Sequence, residues 1–144
     1  FPAVMTEEES RAMWNRLRAE LDEKGYGVYA VELKSSGSLI GLLGFHWADF
    51  KADFTPCVEI GWRLVPEAWG HGYATEGARA CLEHGFARLG LDRVYSFTVC
   101  VNLPSQAVMQ RAGMRKTAEF NHPKVAPDSV LYPHVLYVRE ASHA

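Results

Sequence analysis

The sequence predicts one α/β or α+β domain built around a mixed β-sheet. Its helical and strand patterns follow in the order helix, three strands, helix, strand, helix and two strands, which suits helices layered on a sheet. The chain has 144 residues, of which 48% are hydrophobic and 22% charged, and this is enough for one core. Because no repeat, low-complexity tract or linker interrupts the pattern, we expect residues 1–144 to form one domain.

The first element is a helix predicted over residues 6–25. Thr6 and Glu9 fit a capping box, in which each side chain accepts a hydrogen bond from the other residue's backbone amide. Gly25 suits the end of the helix because glycine readily adopts the left-handed conformation. An apolar stripe with a four-residue spacing predicts the buried face: Met13, Leu17 and Leu21, widened by Trp14.

Three strands are predicted next. Residues 26–33 and 38–47 flank the turn sequence KSSG and predict a hairpin. Residues 57–65 alternate between two faces and predict a third strand. One face of this strand is apolar and consists of Val58, Ile60, Trp62 and Leu64. The other face is mixed and consists of Cys57, Glu59, Gly61 and Arg63.

The second half of the chain begins with a helix predicted to run to about Leu89. Strands are predicted over 92–101, 114–120 and 134–140, with a short helix over 103–113. Small residues on the long helix predict close packing against the sheet. Its predicted buried face is Ala74, Ala78, Cys81, Leu82, Gly85, Phe86 and Leu89.

The composition excludes several classes of partner. A net charge of -2 gives no electrostatic basis for binding nucleic acid or an anionic membrane, and no apolar run approaches the roughly 20 residues of a membrane helix. Cys57, Cys81 and Cys100 are widely spaced and form no metal-ligand pattern. We therefore expect reduced thiols, no metal and a cytoplasmic location.

A glycine turn, WGHGYATE at residues 69–76, joins the third strand to the long helix. Gly70 and Gly72 lack a Cβ, and a helix start presents free N–H groups with partial positive charge. The turn therefore predicts an anion site suited to phosphate oxygens. Thr75 breaks the GxGxxG dinucleotide pattern, and no GK[ST] follows. The alternative is a strand-to-helix turn that needs glycine for its geometry alone.

A second segment, VNLPSQAVMQRAGM, places Asn102 and Ser105 at the start of the short helix. Together with GWRLVPEAWGHGYATEG it resembles the GNAT superfamily of acetyl-CoA-dependent N-acetyltransferases. Within that superfamily, the pattern N-x-x-S is similar to the RimJ/RimL-like branch, which acetylates the N-termini of ribosomal proteins. The resemblance extends from about Gly41 to Val138.

This resemblance implies a mixed, mostly antiparallel sheet with two splayed strands, flanked by helices. The family normally begins with another strand before the first helix, whereas this chain begins at Phe1, just before that helix. We therefore expect the sheet to lack the first family strand, which would leave one edge open.

The resemblance also implies residues that bind acetyl-CoA. The end of the third strand, around Trp62 to Val65, would pair with the pantetheine arm, and the glycine turn would hold the diphosphate. The family usually has Gln or Arg where this chain has Glu67, so His71 or Arg79 would have to supply charge. The implied cofactor-binding residues are Leu64, Val65, Trp69, Gly70, His71, Gly72, Tyr73, Ala74, Thr75, Asn102 and Ser105.

The sequence offers two residues for the chemistry. Glu59 lies on the strand that ends at the glycine turn and is the first candidate for the base; it could instead pair with Arg63 or lie on a solvated face. Ser105 matches the branch serine near the thiol, but it could equally be a helix-start serine. Many family members have a tyrosine acid where this chain has Met109, which cannot donate a proton. His46, His122 and His134 are further options for the base.

The acceptor is expected to be an amine. An α-amine has a pKa of about 7.7–8.0 and a lysine amine one of about 10.4, so a carboxylate base mildly favours a peptide N-terminus or a small amine. Trp47, Tyr132 and His134 lie in or beside the loops expected to border the acceptor cleft. The protein is expected to be a monomer or homodimer. The alternative function is a non-catalytic acyl-CoA-binding sensor or scaffold.

Overall fold

The computed structural model describes residues 6–142 as helices on both faces of a six-stranded sheet. Residues 1–5 and 143–144 of the predicted domain lie outside this range. The elements are α1 (Glu7–Lys24), β1 (Val28–Glu32), β2 (Leu39–Ala48), β3 (Cys57–Leu64), α2 (Tyr73–Ala87), β4 (Arg93–Val99), α3 (Leu103–Arg111), β5 (Arg115–Asn121) and β6 (Pro133–Glu140). A 3₁₀ turn, Pro66–Ala68, lies between β3 and α2.

The element order confirms the predicted fold class. The strand order is β1-β2-β3-β4-β6-β5. All neighbouring strands are antiparallel except β3 and β4, which are parallel. The sheet is therefore mixed and mostly antiparallel, with β1 and β5 at its edges.

The predicted capping box of α1 is present. Glu9 N–H donates to Thr6 Oγ1 at 3.1 Å, and Thr6 N–H donates to Glu9 Oε1 at 3.3 Å. Gly25 ends the helix with a φ of 77°. Met13, Leu17 and Leu21 are half-buried, as the apolar stripe predicts, whereas Trp14 is exposed.

β4 ends two residues earlier than the sequence indicates. Asn102 N–H donates to Val99 O at 3.0 Å and Leu103 N–H to Val101 O at 3.0 Å. These bonds fold Cys100 and Val101 into a turn, because the backbone must bend sharply to enter α3.

The main core lies between the sheet and the helices α2 and α3. A Cβ on Gly85 would approach Phe45 Cζ to 2.9 Å, so a larger residue there would force the helix away from β2. Ala78 and Leu82 are fully buried, which confirms the close packing predicted for α2. The core residues include Phe45, Val58, Ile60, Ala78, Leu82, Val94, Met109, Ala112, Met114, Val135 and Tyr137.

The opposite face of the sheet carries the groups available for chemistry. Because side chains alternate along a strand, the residues between the core positions of β2 and β3 point to this face, among them His46 and Glu59. α1 lies beside it, and its half-buried stripe leaves a cavity against the sheet. No helix within residues 6–142 is both long and apolar enough to cross a membrane.

Candidate active site

The glycine turn forms an open cradle at the start of α2. Gly70 and Gly72 have φ values of 78° and 79°, in the left-handed region that favours glycine. In the part of the chain that the structure describes, nothing lies within 4 Å of a Cβ built on either residue. Glu76 N–H donates to Gly72 O at 3.0 Å. The amides of residues 73–75 precede this first helical bond, so they are available to an anion.

A tryptophan braces the approach to this cradle. Trp69 Nε1–H donates to Leu64 O at 2.9 Å, which ties the turn to the end of β3, while 65% of Trp69 stays exposed. The rings of His71 and Tyr73 stack with their centroids 5.2 Å apart. The predicted turn residues therefore form one surface patch, and its aromatic rings flank the backbone amides.

β3 and β4 separate just before this cradle. Within the described residues they pair at one position, Glu59 with Tyr95. One residue further on, Ser96 Oγ–H donates to Ile60 O at 2.8 Å, so a side chain replaces the next backbone bond. Beyond this point the strands leave a gap.

The register of β2 and β3 shows which peptide groups border the gap. Val65 N–H donates to Ile40 O at 2.8 Å. Alternation along an antiparallel pair then directs Gly61 towards β2 and the peptide groups of Trp62 and Leu64 towards the gap. Of the predicted pairing residues, Leu64 thus borders the gap through its N–H, whereas Val65 is already bonded to β2.

The start of α3 lies at the end of β4, beside the same gap. Asn102 caps this helix, and its Oδ1 accepts from Ser105 N–H at 3.2 Å. Ser105 is half-buried in the first turn. Met109 is 1% exposed and belongs to the core, which gives a packing reason for methionine at that position.

A positively charged side chain that the sequence analysis did not indicate lies beside the cradle. Arg111 Nη1 lies 3.5 Å from Thr75 Oγ1, in the first turn of α2. Arg79, suggested from the sequence, instead donates from Nε to Arg111 O at 2.8 Å. Arg79 therefore holds α3 against α2, while the Arg111 side chain reaches the helix start. Only the packing of these two helices brings Arg111 there, and no local motif could have identified it.

These features fit coenzyme A. Its diphosphate matches the bare amides and the positive end of α2. Its extended arm contains amide groups, which match the peptide groups of Trp62 and Leu64 at the open edge of β3. The groups that would hold it are therefore the amides of residues 73–75, the Arg111 side chain and the peptide groups of Trp62 and Leu64.

Glu59 lies at the point where β3 and β4 separate. It is half-buried, and its pKa is raised from 4.5 to about 8, first by burial and second by the charge of Glu20. A solvated surface position is therefore wrong for this residue. A carboxyl group with a pKa near the working pH is suited to accept a proton and release it again.

Two cavities meet at Glu59 and His46. The larger, of about 540 Å³, lies under α1 and is bounded by Met13, Arg16, Leu17, Glu20, Val28, Leu42, Gly44, His46, Glu59, Gly61, Trp62 and Arg63. The smaller, of about 150 Å³, is bounded by His46, Trp47, Ala48, Asp49, Phe50, Glu59, Phe97, His122 and Lys124. Glu59 thus faces both spaces in which an acceptor could lie.

The predicted acceptor residues gather near the smaller cavity. Trp47 lines it. His134 is buried, and its ring lies 5.0 Å from that of His122, a cavity residue. Tyr132 O accepts from His122 N–H at 3.1 Å and lies 3.1 Å from His134 Nδ1. Tyr132 therefore contributes a backbone group that holds both histidines.

An aromatic cluster behind this cavity was missed at the sequence level. The ring of Phe50 lies 5.5 Å from Phe97, 5.8 Å from Phe54 and 4.4 Å from His122. Burial lowers the pKa of His122, and the charges of His134 and Lys124 lower it further. The rings come from the loop after β2, from β4 and from the loop that follows β5, so their assembly follows from the topology alone.

Comparisons with known proteins agree with this geometry. Residues 1–115 match the family model described as acetyltransferase (GNAT) domain. The chain is 35% identical over 117 residues to the uncharacterized N-acetyltransferase YnaD of Bacillus subtilis, which covers 81% of this chain and 64% of YnaD. The chain thus spans less than two thirds of that relative's length.

Solved structures share the fold. A GNAT-family acetyltransferase from Bacillus anthracis superposes with a TM-score of 0.75 at 29% identity, over 96% of this chain and 76% of its own. RimL, a ribosomal L7/L12 alpha-N-protein acetyltransferase solved with coenzyme A, gives a TM-score of 0.80 over 96% and 75% of the two chains. Its identity is 19%, so it supports the fold alone. The family match, together with the open cradle and the splayed strands, shows that the chain belongs to the GNAT acetyltransferase family.

Proposed function

We propose that the protein transfers an acetyl group from acetyl-CoA to a primary amine by direct attack within a ternary complex. The observation that carries this proposal is the position of Glu59. Its half-buried carboxyl group lines both cavities, and its backbone lies at the one position where β3 pairs with β4 within the described residues. A module that only senses acyl-CoA needs the gap and the cradle, but it has no need of a proton acceptor there.

The chain's own groups divide the work of binding. The bare amides at residues 73–75 and the side chain of Arg111 hold the diphosphate. The peptide groups of Trp62 and Leu64 align the arm along β3. Asn102 fixes the first turn of α3 and so sets the position of Ser105.

Proton transfer then uses one group on each side of the gap. When bound, acetyl-CoA supplies a thioester whose acetyl carbon is open to an amine. The amine nitrogen forms the new carbon–nitrogen bond as the carbon–sulfur bond breaks. Glu59 takes the proton that the nitrogen loses, directly or through water. The sulfur receives the proton of the Ser105 hydroxyl, which takes another from solvent water in exchange.

We place the protein in the RimJ/RimL-like branch, acting on a peptide N-terminus or a small amine. The N-x-x-S pattern at Asn102 and Ser105 supports this assignment. So does the modest strength of the base, because a group with a pKa of about 8 is well matched to an α-amine of about 7.7–8.0. A lysine amine near 10.4 would first require a costly deprotonation.

The test is release of CoA thiol from acetyl-CoA with a panel of N-terminal peptides, amino acids, polyamines and a lysine side-chain peptide with a blocked N-terminus. We expect release above hydrolysis with an α-amine or small amine, and a kcat/KM that rises with pH through about 8. Glu59→Gln should lower kcat about 10²–10⁴-fold.

Glu76→Gln is the matched control, because Glu76 is an exposed carboxylate in the first turn of α2. It should change kcat little. Tight acetyl-CoA binding with only background release for every amine would support the sensor function instead and overturn the proposal.

A further inference from the structure

A second carboxylate, Glu20, reaches from α1 to the strand that carries His46. Its Oε1 accepts from Trp47 N–H at 2.8 Å, and its Oε2 lies 3.0 Å from His46 Nδ1. The Glu20 side chain is only 15% exposed. These contacts join residues 26 and 27 positions apart, so the tertiary fold holds the carboxylate in place at both oxygens.

His46 stands directly beside Glu59. The two residues are cross-strand partners in the ladder of β2 and β3, and directly opposite side chains have Cβ atoms about 4.5–5.5 Å apart on one face. Both line the larger and the smaller cavity. The His46 side chain is 53% exposed, so its ring is open to solvent beside the half-buried Glu59.

The contact with Glu20 fixes which ring nitrogen of His46 carries the proton. A carboxylate has acceptors only, so Nδ1 must be the donor at 3.0 Å. In the neutral ring this leaves Nε2 as the acceptor. Histidines held by a carboxylate in this way keep one tautomer and one ring orientation.

We propose that the Glu20–His46 pair is the proton outlet of Glu59, an inference that rests on the proposed transfer to an amine. After each turnover Glu59 holds the proton that the amine has lost. That proton passes to Nε2 of His46, and the imidazolium so formed, held in place by Glu20, releases it to solvent. Glu59 is then a carboxylate again, and no other bond changes.

The outlet matters because an acceptor in either cavity would cover Glu59. His46 lines both cavities yet remains half open to water. The charged and titratable groups around it are Arg16 and Glu20 on α1, Glu59 and Arg63 on β3, and Asp49, His122 and Lys124 around the smaller cavity. His46 and Glu20 thus act through Glu59 and serve as positioning and relay residues.

The experiment compares wild type with His46→Ala, Glu20→Gln and the control His84→Ala in low-concentration buffer. His84 is an exposed histidine of α2. We expect His46→Ala to lower kcat about tenfold, less than loss of the base itself, with an unchanged KM for acetyl-CoA. Added imidazole should restore the rate, because a small base can enter the space left by the ring.

Glu20→Gln keeps an acceptor for Trp47 N–H but removes the charge. We expect a lower kcat, and an acid limb of the pH–rate profile that moves to lower pH, because the Glu20 charge raises the pKa of Glu59. His84→Ala should match wild type. Unchanged kcat in His46→Ala, or a reduced kcat that imidazole does not restore, would overturn the outlet.

A second measurement needs no turnover and separates this inference from the proposed function. Nitrogen-15 NMR of the imidazole rings should show neutral His46 with its proton on Nδ1, and Glu20→Gln should weaken that preference. A wild-type protein that releases no CoA with any amine would sink the proposed function. A neutral His46 protonated on Nε2 would sink the Glu20–His46 pair in either case.

Discussion

At the scale of single residues, Glu59 shows how position changes the chemistry of a side chain. An exposed glutamate in β3 would be ionised and stable in water. Burial at the separating strands, with Glu20 nearby, raises the pKa to about 8, so the folded protein holds a proton that the unfolded chain would release. The group is suited to proton transfer, but ionising it in its buried position lowers the free energy of unfolding.

The pH dependence of unfolding should reveal this loss of stability. The folded pKa lies above the ordinary value of 4.5, so the folded state binds more protons than the unfolded state between about pH 4.5 and 8. The stability that Glu59 contributes is therefore complete below pH 4.5 and is lost as pH rises through 8. Glu59→Gln, which stays neutral, should gain free energy of unfolding relative to wild type over this window, by roughly 3–5 kcal/mol at its upper end.

Urea unfolding of both proteins at several pH values from 4 to 9 measures the difference. Glu76→Gln serves as the control, because Glu76 is exposed. A constant difference between Glu59→Gln and wild type would mean that Glu59 titrates in the folded protein as it does in water.

Arg111 offers a second test at this scale. Its guanidinium lies 3.5 Å from Thr75 Oγ1 at the start of α2, so Arg111→Gln should weaken acetyl-CoA binding about two- to fivefold, as an exposed ion pair does. The loss should shrink at high salt. Calorimetry at two salt concentrations measures it, and Arg88→Gln at the other end of α2 is the control. Equal affinities for Arg111→Gln and wild type would remove Arg111 from the phosphate site.

At the scale of elements, the join between β3 and α2 combines two requirements in one turn. The chain must turn sharply after β3, and the amides at the start of α2 must stay bare. Gly72 meets both, since its φ of 79° permits the turn and a Cβ there would extend into open space. Under the proposed function, residues 69–75 therefore serve the fold and the ligand together.

Gly72→Ala should separate the two roles when it is compared with Gly90→Ala. Both glycines have a positive φ, 79° and 70°, and neither Cβ would meet an atom of the described chain within 4 Å. The backbone strain should therefore lower the melting temperature similarly in both variants, because alanine disfavours this conformation. Only Gly72→Ala should weaken acetyl-CoA binding, by tenfold or more. Equal binding by the two variants would assign Gly72 to the turn geometry alone.

At the scale of the whole molecule, local sequence signals predicted most elements correctly. The capping box at Thr6 and Glu9, the alternation along β3 and the left-handed glycines each depend on residues a few positions apart, and all are present in the structure. The end of β4 was misplaced because Cys100 and Val101 have strand-like side chains but enter a turn. Propensity there yields to the geometry of the α3 cap.

The candidate site was predictable only in part, for the same reason. Its backbone portion follows from the order of strand, glycines and helix. Contacts such as Glu20 with His46, or Arg111 with Thr75, join distant segments, and no spacing in the sequence encodes them. Side-chain neighbours of this kind depend on strand order and helix packing, which become known only with the fold.

Within the described residues, β3 and β4 pair only at Glu59 and Tyr95. The sheet therefore has two three-stranded halves, which are joined by this pairing position and by the hydrogen bond from Ser96 to Ile60. A pantetheine chain bound along the gap between β3 and β4 would bridge the two halves of the sheet. Hydrogen–deuterium exchange should therefore slow at the amides of Trp62 and Leu64 when acetyl-CoA is added, while Val65, already bonded across to β2, should change less. The cofactor would thus make the junction of β3 and β4 more rigid at the place where its acetyl group is transferred to the amine.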